Sequence, residues 1–166
     1  MKKLLFVTLI LCFNFLHAEE NKINLFELYK ELHANPELSY QEFETSEKLA
    51  LILENIGYEV TRNIGGNGVV ALLQNGEGKT VMLRADMDGL PVEEKTGASY
   101  ASTKKSVNAE GKEVFTMHAC GHDVHMSVLI GAAEYLFNNQ SQWQGNLLLI
   151  LEPAEEVSGG ARNMIK

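Results

Sequence analysis

The chain has 166 residues, with 14 basic against 22 acidic side chains, a net charge of −8 and 45% hydrophobic content. This balance suits one globular domain. It argues against nucleic acid or an anionic membrane surface as partner, because both carry the same sign of charge.

Lys2 and Lys3 form a basic start, Leu4 to Leu16 is apolar apart from Thr8 and Asn14, and Leu16-His17-Ala18 is an acceptable cleavage site. Residues 1–18 therefore read as an export signal. The apolar run is shorter than the ~20 residues of a membrane-spanning helix. The expected mature chain, residues 19–166, is exported to the periplasm or secreted, with no stable membrane anchoring after cleavage. Without Lys2 and Lys3 its charge is about −10. Cys12 leaves with the signal, so Cys120 has no partner within the chain. Its thiol is either buried and inert or chemically used, and the neighbouring His118 and His122 favour use.

Asn24 looks like a helix N-cap, followed by Leu25, Leu28, Tyr29 and Leu32 at helical spacing. Asn35-Pro36 stops that helix. A second helix is predicted from Tyr40 to Ile56, with Gly57 ending it. Three strands are predicted at Tyr58–Arg62, Gly68–Gln74 and Lys79–Ala85. The turn residues Asn75-Gly76-Glu77-Gly78 make the last two a predicted hairpin. Residues 95–113 read as a polar excursion, after which Val114–Met117 returns to the sheet. Asp123–Phe137 reads as a helix, and Asn146–Leu151 as a strand covered on both faces. A further helix is predicted near Gly160. The element order gives an α/β fold, a three-layer catalytic domain in which helices flank a mixed sheet.

The chemistry concentrates at strand ends and before a helix. One strand delivers Asp86 and Asp88, another delivers Glu155 and Glu156, and Met117 to His125 carries a thiol and three imidazoles. Such segments meet outside the strand ends of open α/β sheets. Thiolate, imidazole and carboxylate together are the donor set of a divalent transition-metal site. Cys120 and His122 could address one metal centre. His118 and Asp123 could orient ligand imidazoles, and Asp88 could fix a histidine tautomer. Glu155 and Glu156, in an extended segment, would point in opposite directions, one to metal and one to substrate. The structural alternatives are Asp123 as a helix cap, a solvated acidic loop at 155–156, and aspartates bonding a turn at 86–88.

The segments Leu32 to Ser39, Leu83 to Pro91, Met117 to His125 and Pro153 to Glu156, in that order, resemble the metal-dependent amidohydrolases related to aminoacylase, hippurate hydrolase and auxin-conjugate hydrolase. The resemblance runs from about Leu25 to Lys166. It implies hydrolysis of the amide bond of N-acyl amino acids at a centre of two divalent ions, zinc, manganese or cobalt. It implies Cys120 as bridging ligand, His122 and Glu156 as further ligands, Glu155 as general base and Asp88 as orienting aspartate. His118, Asp86 and His125 match pattern positions without an assigned ligand role. The small-molecule substrate is the expected partner, and the full-length form is expected to be a homo-oligomer. A metallo-dipeptidase or carboxypeptidase of the same architecture is the alternative enzyme, and a truncated non-catalytic remnant the alternative from another class.

Three departures stand out. Glu152 occupies a position where many relatives carry glutamine, Gly89 one where alanine is frequent, and the family's chains continue into further histidine ligands and an inserted lid or dimerisation domain. The sequence is therefore expected to be the N-terminal portion of the catalytic domain, with little turnover alone.

Overall fold

The computed structural model describes residues 22–166. The expected export signal, with Cys12, lies outside the described residues. Helix α1 (Leu25–Ala34) begins at Asn24, whose side chain accepts the Glu27 N–H, so the predicted cap is in place. Helix α2 (Phe43–Ile56) starts three residues later than expected and ends at Gly57. Strands β1 (Glu59–Ile64), β2 (Gly68–Asn75) and β3 (Thr80–Asp86) follow. A small antiparallel pair, β4 (Lys105–Val107) and β5 (Glu113–Phe115), precedes helix α3 (His122–Asn138). Strand β6 (Gly145–Glu152) and the short helix α4 (Gly160–Met164) complete the described chain.

The main sheet has the order β1-β2-β6-β3. The expected β2–β3 hairpin is not formed. Strand β6 lies between the two, antiparallel to β2 and parallel to β3. Its apolar run pairs on both edges, a larger gain in hydrogen bonds and burial than direct pairing of β2 with β3 would bring. The Asn75–Gly78 turn arches over the start of β6, where an added Cβ on Gly145 would lie 2.4 Å from the Lys79 carbonyl oxygen. Val114–Met117 does not return to the main sheet. It forms β5 and a single bridge between Met117 and Leu90.

Helices and sheet share one core. Leu28 and Leu32 of α1, Leu49 and Leu53 of α2, and Met126, Leu129 and Ile130 of α3 meet Val69, Ala71, Leu147, Leu149 and Leu151. The alternate residues Val70, Leu72, Leu148 and Ile150 point the other way and are half-buried. Strand β6 thus alternates, and is not evenly covered as its sequence suggests. The fold is the expected α/β arrangement of a mixed sheet with helices against it. Among the described residues, no helix is long and apolar enough to cross a membrane.

Because β3 and β6 are parallel, their C-terminal ends lie side by side, with Asp86 paired to Glu152. The N-terminus of α3 is brought to the same end of the sheet. Everything that carries chemistry leaves from there.

Candidate metal centre

His122, the first residue of α3, is the hub. Its Nδ1 lies 2.7 Å from the backbone carbonyl of Asp88, to which it donates, so Nε2 is turned the other way. Around Nε2 stand Asp86 Oδ2 at 4.0 Å, Glu155 Oε2 at 3.8 Å and Glu156 Oε1 at 3.9 Å. Cys120, exposed and unpaired by any disulfide, completes one ligand group. Donor atoms of Cys120, His122 and Glu156 fall within 4.8 Å of one another, as do those of Asp86, His122 and Glu155. The two triads share the imidazole.

The local chain explains this convergence. Gly121, at φ +80°, turns the backbone so that α3 starts with His122 facing the strand ends. The helix N-terminus carries a partial positive charge that favours the carboxylates gathered before it. Ala154 takes φ +52°, and residues 155–158 after it form a turn and not the extended segment expected. Glu155 and Glu156 therefore both face His122 and do not diverge.

Asp88 does its work in two ways. Its carbonyl fixes the His122 tautomer, whereas its carboxylate was the expected agent and stands 3.5 Å from Nδ1. That carboxylate instead accepts the N–H groups of Glu155 at 3.2 Å and Glu156 at 3.0 Å, and the Ser39 hydroxyl at 2.6 Å. Burial pushes the Asp88 carboxyl up, but contact with His122, Ser39 and the two N–H donors offsets it and holds the group below the ordinary carboxylate range. Asp86, in contrast, is raised, chiefly by burial, with Arg84 and His122 opposing.

Burial alone would lower the His122 imidazole. Its bonds to Asp88 and the charges of Asp86 and Asp88 outweigh that and push it up to about 9. The Cys120 thiol is held above its ordinary value by contact with Glu156. A cation would reverse both tendencies by displacing these protons. Glu156 Oε1 is buried without a hydrogen-bond partner among the described residues, an acceptor well suited to such a cation.

Other expected roles change. Asp123 does not orient His122. It accepts His33 Nδ1–H at 2.6 Å and the Val124 N–H at 2.9 Å, while His33 Nε2 meets Glu94 at 3.0 Å. His118 is buried, has no hydrogen-bond partner at either ring nitrogen among the described residues, and is lowered to about 4 by burial, so it is a neutral imidazole. His125 is exposed in the first turn of α3, its ring centroid 6.2 Å from that of His122. The extra charge at Glu152 is met by the Arg84 guanidinium and the Ala161 N–H. Sequence reasoning gave no role to Arg84, Glu94 or Glu42. Only their place in or near the matched segments could have drawn attention to them.

A family model described as peptidase family M20/M25/M40 matches residues 82–166. A thermostable carboxypeptidase of Saccharolobus solfataricus is 42% identical over 146 residues, covering 86% of this chain and 35% of the relative. The hippurate hydrolase of Campylobacter jejuni is 44% identical over 137 residues, 82% of this chain and 33% of the relative. Among solved structures, a Bacillus subtilis protein described as a dinuclear metal-binding peptidase of the M20 family superposes with a TM-score of 0.75 at 36% identity. That match covers 85% of this chain and 37% of the other. The chain spans about a third of the length of the curated relatives it matches.

Proposed function

Because this chain belongs to the M20/M25/M40 peptidase family, we propose that the protein hydrolyses the amide bond of N-acyl amino acids at a centre of two divalent metal ions. The observation that carries this reading is that the donor atoms of Cys120, His122 and Glu156, and those of Asp86, His122 and Glu155, lie within 4.8 Å of one another. Zinc, manganese or cobalt suits a donor set that mixes thiolate, imidazole and carboxylate.

Ions held here would supply electrophilic polarisation of the scissile carbonyl and acidify water. Cys120, His122 and Glu156 would contribute ligands to them. The Asp88 carbonyl keeps the His122 Nδ1 proton engaged, so that Nε2 remains the donor. Glu155, whose side chain is 40% exposed, is the carboxylate free to meet substrate. It takes a proton from the attacking water and returns it to the leaving amine. The hippurate hydrolase relative supports an acyl amino acid as substrate. The carboxypeptidase relative favours, as a second reading, cleavage of a peptide's C-terminal residue at the same centre. Export rests on the pattern of residues 1–18 alone.

The test uses the native protein purified from its own organism. Hippurate and a dipeptide are compared as substrates, and metal content is measured alongside. Glu155→Gln is expected to lower kcat about 100- to 10,000-fold with metal content unchanged. Full activity in that variant removes Glu155 as the base. A preference for the dipeptide selects the second reading.

A further inference from the structure

Glu42 is fully buried, yet it lies outside the His122 cluster. Its Oε1 accepts the N–H of Ala154 at 2.7 Å and of Tyr40 at 3.0 Å, and its Oε2 accepts from Asn67 Nδ2 at 3.0 Å. Ala154 and Tyr40 have φ of +52° and +65°, in the left-handed region that side-chain-bearing residues avoid. One carboxylate oxygen therefore holds two strained backbone positions. One of them directly precedes Glu155 and Glu156.

A bland role for Glu42 would be to cap α2, where it stands at the N-cap. Its side chain makes no capping bond there. The N–H groups of Glu44 and Thr45 are taken by Glu37 instead, at 3.2 and 2.8 Å. The Glu42 carboxylate is thus committed across the fold to the turn after β6. That turn is closed on its far side by Gly160, where an added Cβ would lie 1.7 Å from the Pro153 carbonyl oxygen. Strain of this kind persists only where the surroundings over-determine it. If Glu42 is removed, the buried Ala154 N–H is left unpaired and Ala154 relaxes toward negative φ, turning the Glu155–Glu156 backbone with it.

We infer that Glu42 is a positioning residue that fixes the Ala154 backbone so that Glu155 and Glu156 face His122. Its geometry stands alone, while its consequence for metal rests on the reading of the site as a metal centre. Two readouts in the 166-residue chain separate these. The first is amide hydrogen exchange of the metal-free chain. The second is titration with cobalt(II) alone, followed by the thiolate-to-cobalt absorption band.

In Glu42→Ala, exchange at Ala154 is expected to become about tenfold or more faster, while Leu149 and Leu151 stay slow. Cobalt affinity is expected to fall about 10- to 100-fold. Glu42→Gln keeps an acceptor for Ala154 and should stay close to wild type in both. Glu42→Met, which keeps the volume without the acceptor, carries the test if the alanine variant does not fold. A folded Met variant with unchanged Ala154 protection and cobalt affinity overturns the inference. So does faster exchange spread evenly along β6, the mark of lost global stability. A wild-type chain that takes up no cobalt overturns the metal reading, and Ala154 exchange then decides the role of Glu42 by itself.

Discussion

In the metal-free chain the His122 ring is pulled in opposite directions by burial and by the carboxylates, and the carboxylates win. Its pKa of about 9 in the folded chain, against about 6.5 unfolded, means that folding favours the imidazolium. Its contribution to stability, on the order of 3 kcal/mol at most, is fully present below pH 6.5 and is lost as pH rises through 9. The melting temperature of the metal-free chain should therefore fall by several degrees between pH 6 and pH 9.5. Saturating zinc should flatten the profile, because the ion replaces the proton on Nε2. Thermal denaturation across that range checks it, and a metal-free profile with no fall above pH 6.5 contradicts the charge balance around His122. Cys120, His122 and Glu156 were legible as a set because three donor types lie close in sequence or at a strand end. The carbonyl that fixes His122 was not, since no side-chain letter records which way a backbone oxygen points.

The elements around the site are joined by side chains that cap and clamp from outside their own helices. Glu37, in the turn after α1, covers the first N–H groups of α2 with both carboxylate oxygens, and its own carbonyl accepts the Gly89 N–H. Glu37→Ala should cost about 1–2 kcal/mol, the range of a lost helix cap. Urea denaturation should show a lower midpoint with an unchanged slope, and an unchanged midpoint removes Glu37 as the cap. The segment Leu32–Ser39 stood out in the sequence, and α1, α2, α3 and the positions of all four strands of the main sheet were read to within a few residues. The partner of each strand was not. Asn75–Gly78 is a sound turn signal, but a turn says only that the chain reverses. The insertion of β6 between β2 and β3 is decided by a run 70 residues away whose backbone can pair on both edges.

At the scale of the whole molecule, the two outer strands of the sheet are unequally protected. Strand β1 carries Glu59 and Arg62 and has an irregular register between Thr61 and Ile64, features that discourage further pairing. Strand β3 runs uncharged from Thr80 to Leu83, with Val81 58% and Met82 56% exposed, and pairs on one edge only among the described residues. Its free edge and the half-buried face formed by Val70, Leu72, Leu148 and Ile150 offer both backbone donors and apolar area to a second chain. The net charge of −8 opposes that contact, and salt screens the opposition. The 166-residue chain should accordingly self-associate with rising concentration, and more so at high salt. Met82→Lys should shift it toward monomer while leaving stability within about 0.5 kcal/mol, as expected of an exposed site. Sedimentation velocity at two salt concentrations measures this. A wild-type chain that stays monomeric at both, or a lysine variant that associates equally, would show that the β3 edge is not the contact.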